Sequence, residues 1–475
     1  MSEAESSRPR AGRRLIPLIV ACSLFMENLD STIIATALPS IARSLGENPV
    51  RLSLAITCYL FSLAVFIPIS GWVADRFGAR NVLRTGIAIF TIGSIACGLS
   101  ESLTGFVVAR TLQGMGGAMM TPVGRLVLLR SVPKPELVNA MAWVTMPALI
   151  GPMLGPPIGG FITTYADWRW IFWINVPIGL LGILLVSRFI PNTRETRPPP
   201  FDGWGFVLCA VGLLGLVIGF EALGRAELTT PVILSSLAIG CVGLSAYGVH
   251  ARRVAHPVVD LSLLKIPTFR AGVVGGSLFR IGIGAVPFLL PLMLQLGFGL
   301  SAFDSGMLTF AAAAGAMTMK ATAAPIIRLL GFKRVLVGNA LVSAIFLAAT
   351  GLFQPTTPHF VIIAVLLVGG FFRSLQFTSI NVVAYAEVPE DRMSRATSFA
   401  SMAQQLSLSI GAGSGALLVH MTVAAEGRAL PGPGDFLPAF VAVALISASS
   451  ALLFARLSAQ AGAEMSGHRA ITRRR

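Results

Sequence analysis

Of the 475 residues, 54% are hydrophobic and only 12% are charged, with a mean hydropathy of +0.78. That balance excludes a soluble domain of ordinary composition and points to an all-α integral membrane protein. A net charge of +15 could suit nucleic acid, but the basic residues are spread over loops between apolar stretches. The lipid bilayer is therefore the expected partner, and no nucleic acid is.

In chain order, hydropathy windows of about 19 residues predict fourteen spans: 15–38, 52–72, 83–101, 104–128, 138–164, 170–190, 203–223, 231–250, 267–295, 303–326, 334–353, 359–385, 397–421 and 436–456. Each is long enough to cross a core of roughly 30 Å as a helix, and none alternates like a barrel strand. The first is too long for a cleavable signal and lacks a small-residue cleavage site, so it is expected to stay. Cys22, Cys58, Cys97, Cys209 and Cys241 all fall inside spans without metal-ligand spacing, as packing residues do. With a cytoplasmic N-terminus, most Lys and Arg lie on that side, and the outer loops hold Arg43, Arg51, Arg169, Arg225 and Arg428. The asymmetry places both termini in the cytoplasm and suits a multi-pass protein of a bacterial-type inner membrane.

The chain also reads as a repeat. A shift of 253 residues lays Gly78, Arg80, Val82 and Leu83 on Gly331, Lys333, Val335 and Leu336, each set in a short basic turn after a span. The halves are not adjacent, because a polar linker, PNTRETRPPPFDGW, and two further spans separate them. The expected organisation is a cytoplasmic tail at 1–14, a six-helix bundle at 15–190, linkers with two inserted helices at 191–265, a second six-helix bundle at 266–456, and a basic tail at 457–475 without order of its own.

Four stretches carry chemistry. SLFMENLDSTIIATALP, residues 23–39, places Glu27 and Asp30 on one face of the first span, where a carboxylate is costly and marks a function. GWVADRFGARNVL begins at Gly71 and sets Asp75 at a helix end, within reach of Arg76, Arg80 and neighbouring helix termini, with Gly78 at a tight turn. VVARTLQGMGGAMMTP puts Arg110 in a span with Gln113 one turn on. Counted at about 1.5 Å per residue, Arg110 lies about 9 Å from one membrane face and Asp30 about 24 Å from the other, which is nearly the same depth in a core of roughly 30 Å. ALIGPMLGPPIGGFI brings Gly151, Gly155, Pro156, Gly159 and Gly160 into one bent helix able to approach a neighbour closely. The following DWRWIFWINVPIG, with Trp168, Arg169, Trp170, Trp173 and Asn175, reads as an interfacial aromatic belt.

These stretches together resemble the major facilitator superfamily, in its fourteen-spanner drug:proton antiporter branch of EmrB-like and QacA-like exporters. The resemblance covers nearly the whole chain and is most specific in its first half. It implies two six-helix bundles around a central cavity, a gating loop at Gly71, Asp75, Arg76, Gly78 and Arg80, an antiporter motif at Gly151 to Gly160, and proton coupling at Asp30, Glu27 and Arg110. The sequence departs from the branch pattern at Ala79 and Ala142. In the second half, the intramembrane cations Arg280, Lys320 and Arg373 are candidates by their cost, with Lys320 able to snorkel toward the cytoplasmic surface, and Arg280 and Arg373 with Gln113, Gln376, Asn381 and Gln405 form the candidate substrate cavity.

The implied function is proton-coupled export of small amphipathic or cationic compounds by alternating access, with a small-molecule substrate and protons as partners. No cofactor, metal or obligate protein partner is expected. Alternatives are a metabolite- or vitamin-specific carrier on the same fold, a transport-inactive sensor, or a membrane enzyme. The last two would need a soluble domain or a catalytic cluster, and no nucleotide loop, zinc motif or nucleophile elbow occurs.

Overall fold

The computed structural model describes residues 10–47, 49–196, 198–223, 230–428 and 431–467. The expected terminal tails at 1–9 and 468–475 lie outside these residues, as does the side chain of Pro156. Among the described residues there is no strand. The first half contains α1 (Arg10–Leu45), α2 (Pro49–Phe66), α3 (Ser70–Phe77), α4 (Ala79–Gly98), α5 (Leu103–Ser131), α6 (Leu137–Tyr165), α7 (Trp170–Trp173) and α8 (Asn175–Phe189). The insert forms α9 (Gly203–Leu223) and α10 (Thr230–Ala251). The second half contains α11 (Pro267–Arg270), α12 (Gly276–Gly284), α13 (Val286–Leu292), α14 (Ala302–Thr350), α15 (His359–Val383), α16 (Met393–Ala425), α17 (Phe436–Phe454) and α18 (Ala463–Ser466).

Ten helices among the described residues are long and apolar enough to cross a membrane, and the α2–α3 pair, bent by 60°, makes an eleventh. Pro68 sits at that bend, where a missing backbone N–H ends the regular ladder. Caps mark other boundaries. The Ser102 hydroxyl accepts the Gly105 N–H at 3.2 Å to start α5, and Ser301 accepts the Asp304 N–H at 3.1 Å to start α14. The π-helical turn Ala271–Gly275 joins α11 to α12 and the π-helical turn Met293–Gly297 extends α13, making 267–297 one irregular span.

The chain divides into two compact units. The first holds the chain up to Ala210 with Arg253–Asp260 and Glu390–Ser401, and the second holds Val211–Arg252, Leu261–Pro389 and the chain from Met402 on. In the first, glycines let α4 and α5 touch through their backbones: a methyl on Gly116 would stand 2.5 Å from the Phe90 nitrogen, and one on Gly93 2.8 Å from the Gln113 Cα. The expected aromatic belt is partly a core. Trp168 and Phe172 are buried against Phe106 in edge-to-face pairs at 6.1 and 5.6 Å, whereas Trp170 is exposed. In the second unit, α13, α14, α15 and α17 share a core that includes Leu289, Met293, Leu366, Phe436 and Phe440. The inserted helices pack on one another where Gly215 meets Gly240, with 2.5 Å left for a methyl.

The repeat is visible at single-residue resolution. Gly78 separates α3 from α4 with φ 90° and ψ 134°, and Gly331, its counterpart at the 253-residue shift, breaks α14 with φ 76° and ψ 157°. Both dihedral pairs are open to glycine and strained for other residues. The range given as α14 is thus two helices meeting at Gly331, and the expected spans 303–326 and 334–353 lie on either side of that break. The tail from 457 differs from expectation in its first part. Leu457, Ala461 and Met465 are buried, and Gly462 lies against the Phe332 ring, so apolar contact orders what composition alone marks as a solvated end.

Gly331→Ala should destabilise the protein by about 1–3 kcal/mol, the cost of a strained dihedral. Gly338→Ala, seven residues on in open space, should be neutral or stabilising by up to about 1 kcal/mol through helix propensity. Thermal midpoints in detergent check this, and shifts of equal sign and size would contradict it.

Candidate functional site

Five helices of the first unit bring polar side chains to one buried point. The Arg110 guanidinium on α5 donates through Nη1 to Asp30 Oδ2 on α1 at 2.6 Å, with neither side chain exposed. The same Nη1 donates to Gln113 Oε1. Gln113 in turn donates through Nε2 to Asp30 Oδ1 at 2.8 Å and to Ser94 Oγ on α4 at 2.7 Å. Asn175, at the start of α8, donates to Asp30 Oδ1 at 3.3 Å and to Ser94 Oγ at 3.2 Å. The Tyr59 ring on α2 lies under the guanidinium, 4.3 Å from centroid to Cζ. The depths counted from the sequence therefore meet, and Gln113 belongs to this cluster.

The cluster is closed around Asp30 but incomplete around its neighbours. Asp30 accepts from three side chains, while Arg110 Nε and Nη2, the Tyr59 hydroxyl and Asn175 Oδ1 are buried without a hydrogen-bond partner. Unused donors and acceptors in a buried network are costly.

Glu27 is held separately. It is half-buried and accepts from Thr121 Oγ1 on α5 at 2.7 Å, so each carboxylate of the pair has its own partner. The glycines of α6 meet α1 beside both. A methyl on Gly151 would lie 2.9 Å from the Leu29 nitrogen, and one on Gly155 2.3 Å from Thr32 Oγ1. Glycines four apart thus seat α6 on the turn of α1 that carries Asp30. Gly159 is buried and its carbonyl accepts from Thr163, whereas Gly160 faces open space.

The loop from Gly71 differs from expectation in its pairing. Asp75 is buried and accepts from Ser394 Oγ at the start of α16, and from Arg130 Nη2 at the end of α5 at 3.4 Å. Arg76 and Arg80 do not pair with it. Arg76 follows Asp75 on the helix and is exposed, being turned about 100° away by the helical period, and Arg80 lies beyond the Gly78 turn. The expected helix terminus is present, since Ser394 opens α16 where unpaired N–H groups favour a carboxylate. Gly71 lies under the same turn, with 2.6 Å left to the Ser394 carbonyl.

The linker after α8 is more than a spacer. The Glu195 N–H donates to the Asp75 carbonyl at 3.0 Å, and the Ala79 N–H to the Thr193 carbonyl at 3.1 Å. The Trp72 indole N–H donates to the Pro199 carbonyl at 2.9 Å, and its ring packs on Phe201 at 4.8 Å. A methyl on Gly78 would collide with the Asn192 amide at 2.1 Å. The strap therefore fixes the turn on which Asp75 stands.

In the second unit the candidates gather on α15. Arg280 on α12 donates to Asn381 Oδ1 at 2.9 Å and lies 5.2 Å from the Phe377 ring, and Lys320 on α14 donates to Thr378 Oγ1 at 2.9 Å. Gln376 is turned to the other side, where it accepts from Asn339 and donates to the Leu336 carbonyl, tying α15 to α14. Arg373 and Gln405 are half-buried. Sequence reasoning missed Tyr59, Ser94, Arg130 and the strap at 192–201, and it read Asn175 only as part of a belt. A neutral polar residue in a spanning helix, counted one by one, was the signal available for Ser94 and Asn175.

Comparison with known proteins gives the following. The family model described as Major Facilitator Superfamily matches residues 20–412 and 272–470. A protein of Escherichia coli O139:H28 strain E24377A, named "Putative multidrug resistance protein MdtD", is 39% identical over 446 residues, which is 92% of this chain and 93% of that protein. The protein of that name from Escherichia coli K12 has the same identity and coverage. Among solved structures, the human organic anion transporter MFSD10 aligns over 94% of this chain and all of its own, with a TM-score of 0.67 at 14% identity. The proton:xylose symporter XylE aligns over 96% and 98%, also at 0.67, with 15% identity. At those identities the two structures speak for the fold alone.

Arg110→Gln should cost about 3–5 kcal/mol of stability, because it strands a buried carboxylate. Adding Asp30→Asn should return part of that loss. A thermodynamic cycle in detergent measures the coupling, and strictly additive losses would contradict the pair.

Proposed function

The chain belongs to the major facilitator superfamily, and from that premise we infer that it is a proton-coupled secondary transporter whose work is multidrug efflux by alternating access. It is a multi-pass membrane protein. The finer reading adds fourteen crossings, a bacterial inner membrane and both termini in the cytoplasm, supported by the loop distribution of Lys and Arg. The observation that carries the coupling is Asp30 buried against Arg110.

A proton that joins Asp30 removes the charge Arg110 is paired with, so the guanidinium must find other partners. Tyr59, Gln113 and Asn175 stand around it. Proton loading and local rearrangement of α1, α5 and α8 are then one event, and each biases the other by the same free energy. Glu27 offers a second proton-binding group one turn away, bonded by the Thr121 hydroxyl with the charge of Arg125 nearby. Export against a gradient follows if substrate and proton favour opposite conformations.

Asp75 has a different role. Its carboxylate holds the first turn of α16 and the end of α5 together with the strap, so it acts on conformational exchange rather than on substrate contact.

Two outcomes test these roles in inside-out vesicles with an imposed pH gradient and a panel of amphipathic compounds. Substrate should dissipate the gradient with wild-type protein and not with Asp30→Asn, while Glu221→Gln on the inserted α9 should keep full coupling. Full gradient-driven transport by Asp30→Asn would remove the proton site from α1.

For the gate, Asp75→Asn should slow turnover about tenfold or more, equivalent to about 1.4 kcal/mol on the barrier, with near-normal equilibrium binding. A large loss of affinity at unchanged turnover would contradict this.

A further inference from the structure

Among the described residues, every side chain hydrogen-bonded to Asp30 donates to it. Arg110 Nη1 occupies Oδ2, while Gln113 Nε2 and Asn175 Nδ2 both donate to Oδ1. That shell suits the ionised carboxylate and leaves the protonated acid short, because a carboxyl O–H must itself find an acceptor. In a buried site the neutral form without one is penalised like any other unmade hydrogen bond. A group that loads and loses a proton needs a partner for each of its states.

Most of the groups near Asp30 do not supply that acceptor. The charged and titratable ones are Glu27 on α1, with Arg125 beside it, Tyr59 on α2, Cys97 on α4 and Arg110 on α5. Only Arg110 among them is hydrogen-bonded to Asp30, and a guanidinium has no acceptor to offer. α6 meets this turn of α1 with Gly151 and Gly155, and α8 meets it with Asn175. Gln113 is pinned at both ends, since its Oε1 accepts from Arg110 and Cys97 while its Nε2 donates to Asp30 and Ser94. Its amide cannot turn without breaking all of these bonds.

Asn175 is held at one end only. Its Nδ2 makes the two longest N–H···O bonds of the cluster, 3.3 Å to Asp30 Oδ1 and 3.2 Å to Ser94 Oγ, while its Oδ1 is buried without a partner. Ser94 matches it, because both of its bonds to the cluster are accepted from amides and its own O–H is not used there. A half-turn of the Asn175 amide about its Cβ–Cγ bond exchanges Nδ2 and Oδ1 with almost no change of shape. The amide then accepts where it had donated, and the end that turns away leaves no bond behind.

We propose that Asn175 is the hydrogen-bond acceptor that lets Asp30 hold a proton: with Asp30 protonated at Oδ1 the amide is turned over, and its Oδ1 accepts from the Asp30 and Ser94 O–H groups. The proton comes from the aqueous phase, and the Asp30 O–H is the one covalent bond formed. The inference rests on the reading of Asp30 as the proton site and adds a residue of α8 that sets how readily that site loads.

Infrared spectroscopy tests this on purified full-length protein in nanodiscs, titrated over pH. The absorption of the protonated Asp30 carboxyl is identified by its loss in Asp30→Asn, and the pH of half-protonation is compared between variants. Asn175→Leu keeps much the same volume and removes both hydrogen-bonding ends of the amide. Half-protonation should fall by about one pH unit or more, a tenfold loss of proton affinity equal to about 1.4 kcal/mol. The acid loses its acceptor, whereas the carboxylate keeps Arg110 and Gln113. Asn175→Val, smaller and equally apolar, carries the same expectation should the Leu variant not fold.

A role as donor to the carboxylate alone would move half-protonation to higher pH, and a role in packing alone would leave it unchanged. Either result overturns the proposal. If no pH-dependent carboxyl absorption is lost in Asp30→Asn, the proton site itself is wrong and the role of Asn175 falls with it. If one is lost there yet does not move to lower pH without the Asn175 amide, only the present proposal falls.

Discussion

The buried ion pair between Asp30 and Arg110 is the constraint around which the first unit is arranged. Removing both ions from water costs several kcal/mol for each, and their attraction offsets that only with good geometry and further hydrogen bonds. The geometry is supplied by a 2.6 Å contact, and the further bonds come from Gln113 and Asn175, with the Tyr59 ring under the guanidinium. Such an arrangement makes poor sense as a device for stability, since apolar side chains of like volume would hold five helices together at less cost.

The close contacts around the pair explain why so many glycines sit nearby. For five helices to present one polar atom each to a single point, their backbones must come nearer than ordinary side chains allow. Gly93 and Gly116 bring α4 to α5, and Gly151 and Gly155 bring α6 to the turn of α1 carrying Asp30. The chain spends glycine, a poor helix former, where approach matters more than helix propensity. The same residue has another use at Gly78 and Gly331, where positive φ turns the chain between helices at equivalent places in the two halves.

How much of this was legible in the sequence depends on the kind of signal. Helices and their order follow from hydropathy, and charges in an apolar run announce themselves because they are rare there. Asp30 and Arg110 could even be matched in depth by counting residues. Partners without charge could not. Ser94 and Tyr59 look like ordinary helix residues until the fold sets them beside a carboxylate. The strap at 192–201 was hidden for the opposite reason: prolines and charges read as a solvated linker, yet its backbone groups bond to Asp75 and Ala79. Asp75 was assigned to arginines near in sequence, while the partner in space, Arg130, is 55 residues away. Local spacing fixes which groups share a helix face and says little about which helix end arrives from elsewhere.

The strap and the ion pair belong to one mechanical path, and this gives the sequence between them a physical meaning. Arg130 and Arg110 stand on the same helix, α5, twenty residues or about 30 Å apart at 1.5 Å per residue. One end of α5 is fixed through Arg130 to Asp75, which the strap and the start of α16 hold in place. The middle of α5 is fixed through Arg110 and Gln113 to α1, α4 and α8. Between the two stands Pro122, which leaves one backbone bond of α5 unmade. The buried ion pair and the contacts of Asp75 are therefore both anchored on α5, one at its middle and the other at its end.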